Sequence, residues 1–473
     1  MTKAFEESLS LFKDKISDCI KSKKSISITT HIDCDGLTSG SIIAKALIRE
    51  GARCTIRTSK EFSKNLVDSF KTDSRDFHII TDLGGGFGKD LNQTLGDNWI
   101  ILDHHQISEE EKDNQNIINS WKYGIDGGSE ICAGGMAYFA AMALDEKNSD
   151  LSEIAVVSAL GDRQDQGDRK SFTGKNFEIA NTAKELGLVE MDLDLLLVGR
   201  ETRPLAEAIA FTSQPFIEGL TWNKETSLSI LKSSGIKLKE EGRWRVPAEL
   251  NEEEKKLVIK AITDFSPDKN TTEVMSELIG YTYTFPKEDK RSFLRDGREY
   301  STMLNSCGRI NRSGVGMAIC MGDRNQVLTE GEGILTDYRK KIKEYMNVLS
   351  NERWRISENE NCIMVNGEDI VPETMTGTIS SLIAGSPKNT GKIVILRTRG
   401  EANTIKFSSR KSFGCKSKIN LSELMRTGAE KFDGIGGGHN AAAGAKITKD
   451  KLDEFLKYLE LNVVNVPSSS DHQ

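Results

Sequence analysis

The sequence predicts an α/β fold: a parallel sheet in the N-terminal part, a smaller α+β unit at the C-terminal end, and an intermediate stretch between them. Three observations carry this. Strand-like apolar runs at 26–30, 77–81 and 99–102 each deliver a carboxylate at their C-terminal end, at Asp33, Asp82 and Asp103. The segments between them show helical apolar spacing, which implies βαβ alternation and a sheet covered on both faces. Residues 361–463 then return to two short strand-like runs and two helical ones.

Residues 1–25 read as a charged amphipathic helix with Phe5, Leu9, Phe12, Ile16 and Ile20 on one face. The run at 26–30 opens onto His31, Asp33, Asp35 and Gly36, and Leu37, Ile42, Ile43, Ala46 and Leu47 then recur at helical spacing to residue 49. A strand is expected near 54–58 and a helix from Glu61. The strand before Asp82 is followed by three glycines, and the strand before Asp103 by His104 and His105. His78, inside a strand, reads as a core residue. Ser108-Glu109-Glu110-Glu111 matches a capping box, and a small-residue helix is expected from Ala133 to Leu144. Residues 154–161, ending at Asp162, fit a fourth strand or a buried helix. Helical patterns from 177 to 211 close the first part.

The middle, 216–330, is less regular. Asn251 to Glu254 marks a helix start, 292–312 is basic and polar, 315–321 is apolar, and 334–349 has helical spacing. Further on, 393–396 and 404–407 are strand-like and 421–432 is helical. Thr448 is expected to cap a last helix to about 459, and 466–473 reads as a disordered tail.

Composition narrows the function. The chain has 473 residues, 37% hydrophobic and 29% charged, which predicts a soluble protein of two or three domains. No apolar run approaches a membrane span, and the N-terminus lacks a signal-peptide core. Eight scattered cysteines without a CxxC pair imply reduced thiols and a cytoplasmic location. A net charge of −7 gives no general attraction to nucleic acid, so such binding requires a local basic patch. Residues 397–418 supply one, with seven Lys/Arg against the single acid Glu401.

Acids gathered at the carboxyl ends of parallel strands repel one another unless a cation joins them. His31, Asp33, Asp35, Asp82, Asp103, His104 and Asp162 are too many ligands for one ion and suit two, and their oxygen-rich character favours Mn²⁺ or Mg²⁺. Paired ions support phosphoryl chemistry, and Asp82, alone on the central loop, is the candidate bridge. No nucleophile-elbow signature points to a Ser/His/Asp or Cys/His alternative. At the other end, backbone N–H groups of Gly436, Gly437 and Gly438 are expected to cradle a phosphate, with His439 and Arg410 adding charge. Phe407 and Phe413 fit either base stacking or the core.

His31-x-Asp33-x-Asp35-Gly36, Asp82, Asp103-His104-His105 and Gly161-Asp162 resemble, in order, the four motifs of the DHH phosphoesterase superfamily. Gly436-Gly437-Gly438-His439, Ala442-Ala443-Gly444 and Ser408-Ser409-Arg410 resemble the signature of its DHHA1 substrate domain. Leu304-Asn305, Gly308-Arg309, Gly314-Val315-Gly316 and Gly322-Asp323 are similar to the archaeal RecJ-like branch, which includes the nuclease associated with the GINS complex of the replisome.

The resemblance implies a DHH catalytic domain at 1–215, an insert at 216–330, a connecting helix with a DHHA1 domain at 331–465, and the tail. It implies two divalent cations, Mn²⁺ foremost and Mg²⁺ as the alternative. His31, Asp33 and Asp82 would hold one; Asp35, Asp82, His104 and Asp162 would hold the other. Asp103 would support the ligands and His105 would face the scissile phosphate. Ser408, Ser409, Arg410, the glycines and His439 would bind substrate. The implied activity is exonucleolytic hydrolysis of single-stranded DNA or RNA, in replication or repair. The competing implications are a nanoRNase or cyclic-dinucleotide phosphodiesterase, and a replisome scaffold like the DHH-derived helicase subunit. His31 stands where bacterial RecJ proteins tend to have aspartate, which leaves their polarity of degradation untransferred.

Overall fold

The computed structural model describes residues 2–266 and 276–464. The chain forms two compact units, Met1–Leu335 and Thr336–Gln473. The disordered tail expected at 466–473 lies outside the described residues.

The first unit is built on a sheet of β1 (Ser25–His31), β2 (Arg53–Ser59), β3 (Phe77–Thr81), β4 (Trp99–Asp103) and β5 (Ile117–Asn119), in the order β2-β1-β3-β4-β5. Every neighbouring pair is parallel. Strands of such a sheet are covered on both faces and read as continuous apolar runs, and β3 and β4 are buried along their whole length. The chain goes from β1 to one neighbour, β2, and then crosses to the other, β3. That reversal opens a crevice at the carboxyl ends of β1 and β3, where ligands bind in open α/β sheets.

Helix Lys3–Lys21 buries Phe5, Leu9, Phe12 and Ile16 as expected, with Cys19 completing the stripe. Residues 152–161 are helical rather than a fourth strand, so Asp162 stands at a helix C-terminus. The helical reading across 177–211 is corrected. Helix Gly174–Glu185 is followed by strand β6 (Glu190–Leu195), then helix Leu205–Phe211. The strict polar/apolar alternation of Glu190-Met191-Asp192-Leu193-Asp194-Leu195 was the signal for it. Ser108 accepts no capping bond, and 109–111 is a single 3-10 turn. Asn251 and Glu254 do form a capping box.

The intermediate stretch divides in two. Its first half contributes the short hairpin β7 (Lys239–Glu240) and β8 (Arg243–Trp244) and helices Lys224–Ser233 and Glu252–Phe265. These helices share an apolar core containing Leu231, Val258 and Ile262. Its second half folds back onto the sheet-bearing core: β9 (Ile279–Thr284) pairs antiparallel with β6. Helices Gly297–Arg309 and Ser313–Met321 then pack on helix Cys34–Arg49. The approach is close enough that a Cβ at Gly308 would come within 1.6 Å of the Ile32 carbonyl oxygen.

The second unit contains a mixed sheet, in the order β10-β11-β12-β13-β15-β14. Its strands are β10 (Ile356–Glu358), β11 (Cys362–Asn366), β12 (Ile393–Arg399), β13 (Thr404–Lys411), β14 (Ile435–His439) and β15 (Ala442–Thr448). Phe407 belongs to its core, 4.7 Å from the Phe455 ring, and is unavailable for base stacking. The long predicted helix spans Gln326–Asn351, longer than its apolar spacing implied. Thr448 makes no side-chain cap; a 3-10 turn, Lys449–Lys451, intervenes before helix Leu452–Leu459. All eight cysteines are free. Among the described residues, no helix is long and apolar enough to cross a membrane.

Candidate metal centre

The site forms where β1, β3 and β4 end. Asp33 caps helix Cys34–Arg49, its Oδ1 accepting from the Gly36 N–H at 3.1 Å. That bond turns Oδ2 toward His31, 2.9 Å from Nδ1. Gly36 is required here, because a Cβ would lie 2.4 Å from the His31 carbonyl oxygen. Asp35, in the first turn of the same helix, is buried. It accepts the N–H groups of Ala133 and Gly134, each at 2.8 Å, and the Ser158 hydroxyl.

Asp82 follows β3 in left-handed backbone, φ 62°. A non-glycine residue in that region is uncommon, and such conformations cluster at functional sites. Its two oxygens face different partners. Oδ2 lies 3.5 Å from His31 Nδ1, while Oδ1 lies 3.4 Å from His104 Nε2 and 3.8 Å from His105 Nδ1. Asp103, at the end of β4, accepts the His104 and His105 N–H groups at 2.8 and 3.2 Å and binds His105 Nδ1 at 2.8 Å. His104 Nδ1 is spent on the Gly127 carbonyl at 2.6 Å, which leaves Nε2 toward Asp35 Oδ2 at 3.3 Å. Asp162 Oδ2 is 3.8 Å from His104 Nδ1.

The ligand atoms fall into three overlapping groups: His31/Asp33/Asp82, Asp35/His104/Asp162, and Asp82/Asp103/His104/His105. All seven ligands expected from the sequence, and His105, are therefore brought together. Two buried atoms in this cluster, Asp82 Oδ2 and His104 Nε2, have no hydrogen-bond partner among the described residues. Buried polar groups are almost always satisfied, and these two point into the groups a cation would join. The donor set fits divalent metal.

The electrostatics agree. Burial pulls the His31 imidazolium down, but Asp33 and Asp82 outweigh it and push its pKa up to about 10. His104, opposed by burial, is raised well above its ordinary value by Asp82, Asp162 and Asp35. Burial, then the charge of Asp82, pushes Asp35 up to about 7. Without a cation, protons hold the carboxylates together, and a metal must displace them. Metal loading should therefore release protons and tighten as pH rises from about 7, where Asp35 titrates, to about 10, where His31 does. Calorimetry with Mn²⁺ in buffers of different ionisation enthalpy checks this; pH-independent affinity without proton release would refute it.

The substrate residues expected in the second unit are only partly arranged as foreseen. Ser408 Oγ is 2.9 Å from Ser380 Oγ, and Ser409 donates to the Ala443 carbonyl at 3.1 Å; both are buried. The Ser409 hydroxyl bonds within the sheet, and that of Ser408 ties the sheet to helix Thr376–Ala384. Gly436, Gly437 and Gly438, expected to cradle a phosphate with their N–H groups, lie in β14, an edge strand of the sheet. Arg410, Ala442 and His439 sit in one register across β13, β15 and β14. The Arg410 guanidinium reaches Ser381 Oγ at 3.1 Å and its neighbour's carbonyl at 2.8 Å. The basic patch is weaker than its composition implied, because Arg397, Arg399 and Lys406 pair with Glu368, Asp369 and Glu373.

Several supporting residues had no role assigned from the sequence. Ser158, one helical turn before Asp162, spends its hydroxyl on the distant Asp35. Gln164 donates to Asp162 at 2.7 Å and to Gly127 at 2.9 Å. Asn305 accepts the Cys34 N–H at 3.0 Å from far along the chain, which no local pattern reveals.

Comparison with known proteins places this geometry. The N-terminal domain profile of the DHH family matches residues 25–161, the DHH-CID domain 197–278, and the DHHA1 domain 362–465. The chain belongs to the DHH/DHHA1 family. An uncharacterized protein of Methanocaldococcus jannaschii is 29% identical over 461 residues, covering 94% of this chain and 96% of its own. Among solved structures, RecJ from Thermus thermophilus in complex with Mn²⁺ is similar, with TM-score 0.60 and 15% identity. That match covers 98% of this chain but 55% of the longer RecJ chain. CDC45 from Entamoeba histolytica is similar with TM-score 0.62 and 14% identity, covering 97% of this chain and 98% of its own. At these identities the likeness is one of fold: this DHH/DHHA1 protein has the RecJ-like architecture.

Proposed function

We propose that this DHH/DHHA1 protein is a metal-dependent, RecJ-like exonuclease that hydrolyses phosphodiester bonds of single-stranded DNA or RNA. The observation that carries the reading is Asp82, whose two carboxylate oxygens face two different ligand sets. His31, Asp33 and Asp82 would hold one divalent cation; Asp35, Asp82, His104 and Asp162 would hold the other, with Mn²⁺ the favoured ion and Mg²⁺ the alternative. Bound there, the pair supplies Lewis acidity toward phosphate oxygens and lowers the pKa of water.

The remaining work falls to the chain itself. Asp103 holds His105 by Nδ1, so the ring's other nitrogen is the one free to meet substrate, and the side chain is 54% exposed. Burial lowers the His105 pKa, yet Asp103 more than compensates and raises it to about 9. A cationic His105 donates from Nε2 to a phosphate oxygen and offsets charge developing there. Gly127 and Gln164 keep His104 and Asp162 oriented. Arg410 and His439 of the DHHA1 domain serve as phosphate contacts.

A second reading, a replisome scaffold, draws on the fold likeness to CDC45, and the resemblance to the archaeal RecJ-like branch adds the GINS complex as the candidate partner. Convergence of every candidate ligand favours chemistry over scaffolding alone. The test is end-labelled single-stranded DNA and RNA of increasing length, with Mn²⁺ or Mg²⁺. Stepwise shortening from one end, abolished by chelator, is expected. Cleavage confined to dinucleotides would replace the exonuclease with a small-substrate phosphodiesterase. No hydrolysis of any strand would leave the scaffold.

A further inference from the structure

Helix Ser152–Gly161 ends in a Schellman turn whose C-cap is the candidate metal ligand Asp162. The Arg163 N–H donates to Leu160 at 3.2 Å and the Gln164 N–H to Ala159 at 2.9 Å. In this turn the residue past the cap takes left-handed backbone, a conformation that suits glycine because a Cβ is disfavoured there. The position is instead occupied by an arginine, Arg163, at φ 56°. Its neighbours hold it in place. Gln166 donates to its carbonyl at 3.0 Å, Asp165 is clasped by Arg298 at 2.7 Å, and Gln164 is fastened to Asn176 at 2.6 Å.

Nothing in the fold makes use of the side chain. Arg163 is exposed, and its guanidinium is in none of the ion pairs or hydrogen bonds found among the described residues. The chain thus keeps a cation where glycine would be more stable, one residue from a ligand whose own side chain is 36% exposed. The same loop carries Arg169 and Lys170, also exposed and left-handed, at φ 49° and 61°. A planar guanidinium with paired donors is suited to phosphate oxygens. We propose that Arg163 is a substrate-contacting residue, its guanidinium donating to the non-bridging oxygens of the phosphodiester brought to the metal centre. This rests on the phosphoesterase reading above.

The test compares wild type with Arg163→Gly and Arg163→Lys by thermal melting, Mn²⁺ content, and hydrolysis in Mn²⁺. Binding of a fluorescein-labelled single-stranded oligo-dT is followed by anisotropy in EDTA and in Ca²⁺ at several salt concentrations. Arg163→Gly should melt higher than wild type and bind Mn²⁺ unchanged. Its oligonucleotide affinity should fall about ten- to a hundredfold, the loss expected for a charged hydrogen bond. Its salt slope should shrink by about 0.7, one phosphate contact on a single strand. Arg163→Lys should keep that slope and recover part of the affinity. A glycine variant that melts higher yet binds and hydrolyses like wild type would show Arg163 to be only an awkward cap. One that melts lower would remove the backbone argument and the proposal with it. If wild type binds the oligonucleotide but cleaves nothing, the hydrolase reading fails while the binding comparison still decides Arg163. If wild type does not bind, both fail.

Discussion

Asp82→Asn should abolish hydrolysis and deprive the protein of both cations. Among the described residues, Asp82 is the carboxylate shared by two of the ligand groups, with Oδ2 toward His31 and Oδ1 toward His104. Loss of an outer partner that merely orients a ligand typically costs about 10–100-fold in metal affinity or activity; loss of a shared ligand should cost more, at both positions together. Asparagine is the better substitution because Asp82 sits at φ 62°, a region asparagine tolerates and alanine does not. Asp82→Asn therefore keeps the turn while removing charge and one oxygen. Metal stoichiometry by calorimetry, beside a melting curve, separates loss of ligand from loss of fold. A variant that still takes up two Mn²⁺ at wild-type affinity would end the shared-ligand assignment.

His105→Ala should have the opposite signature: cations retained, turnover lost. His105 Nδ1 is 2.8 Å from Asp103 Oδ1 but 3.8 Å from Asp82 Oδ1, so the nitrogen facing the cluster is already committed to a hydrogen bond. Removing a donor aimed at charge developing in a transition state costs on the order of 10²–10³ in kcat, and a comparable loss is expected here. Mn²⁺ binding and substrate KM should change little. The rival is a ligand role, since His105 belongs to one of the three metal-competent groups. Calorimetric loss of a Mn²⁺ equivalent in His105→Ala would establish that rival.

The C-terminal end shows how a motif can be read correctly and its conformation missed. Three successive glycines with a histidine look like a loop that wraps an anion. In the structure they form β14, paired with β15 from Ile435↔Lys446 to His439↔Ala442. Glycine has weak strand propensity, so no local reading selects that outcome. The pairing is set by β15, whose buried Ala443, Ala445 and Ile447 fix which face meets the core. The basic run at 397–418 is thinned by contacts of the same long-range kind: Glu368, Asp369 and Glu373, distant in sequence, pair with three of its seven cations.

What the sequence by itself determined was the N-terminal sheet and which acids and histidines gather in the candidate metal centre. Both are local: a strand buried on two faces must be apolar throughout, and the chain leaving it must place its polar groups within a few residues of the end. His31, Asp33, Asp82, Asp103 and His104 are therefore visible as acids and histidines abutting apolar runs. Tertiary structure alone decided how they are aimed. Asp35 is held by N–H groups of Ala133 and Gly134, His104 by the Gly127 carbonyl, and the Asp33 loop by Asn305. These partners lie tens to hundreds of residues away and bond largely through backbone, which carries no side-chain signature. A ligand's identity is written in one residue, whereas its direction depends on hydrogen bonds that exist only once distant segments have packed.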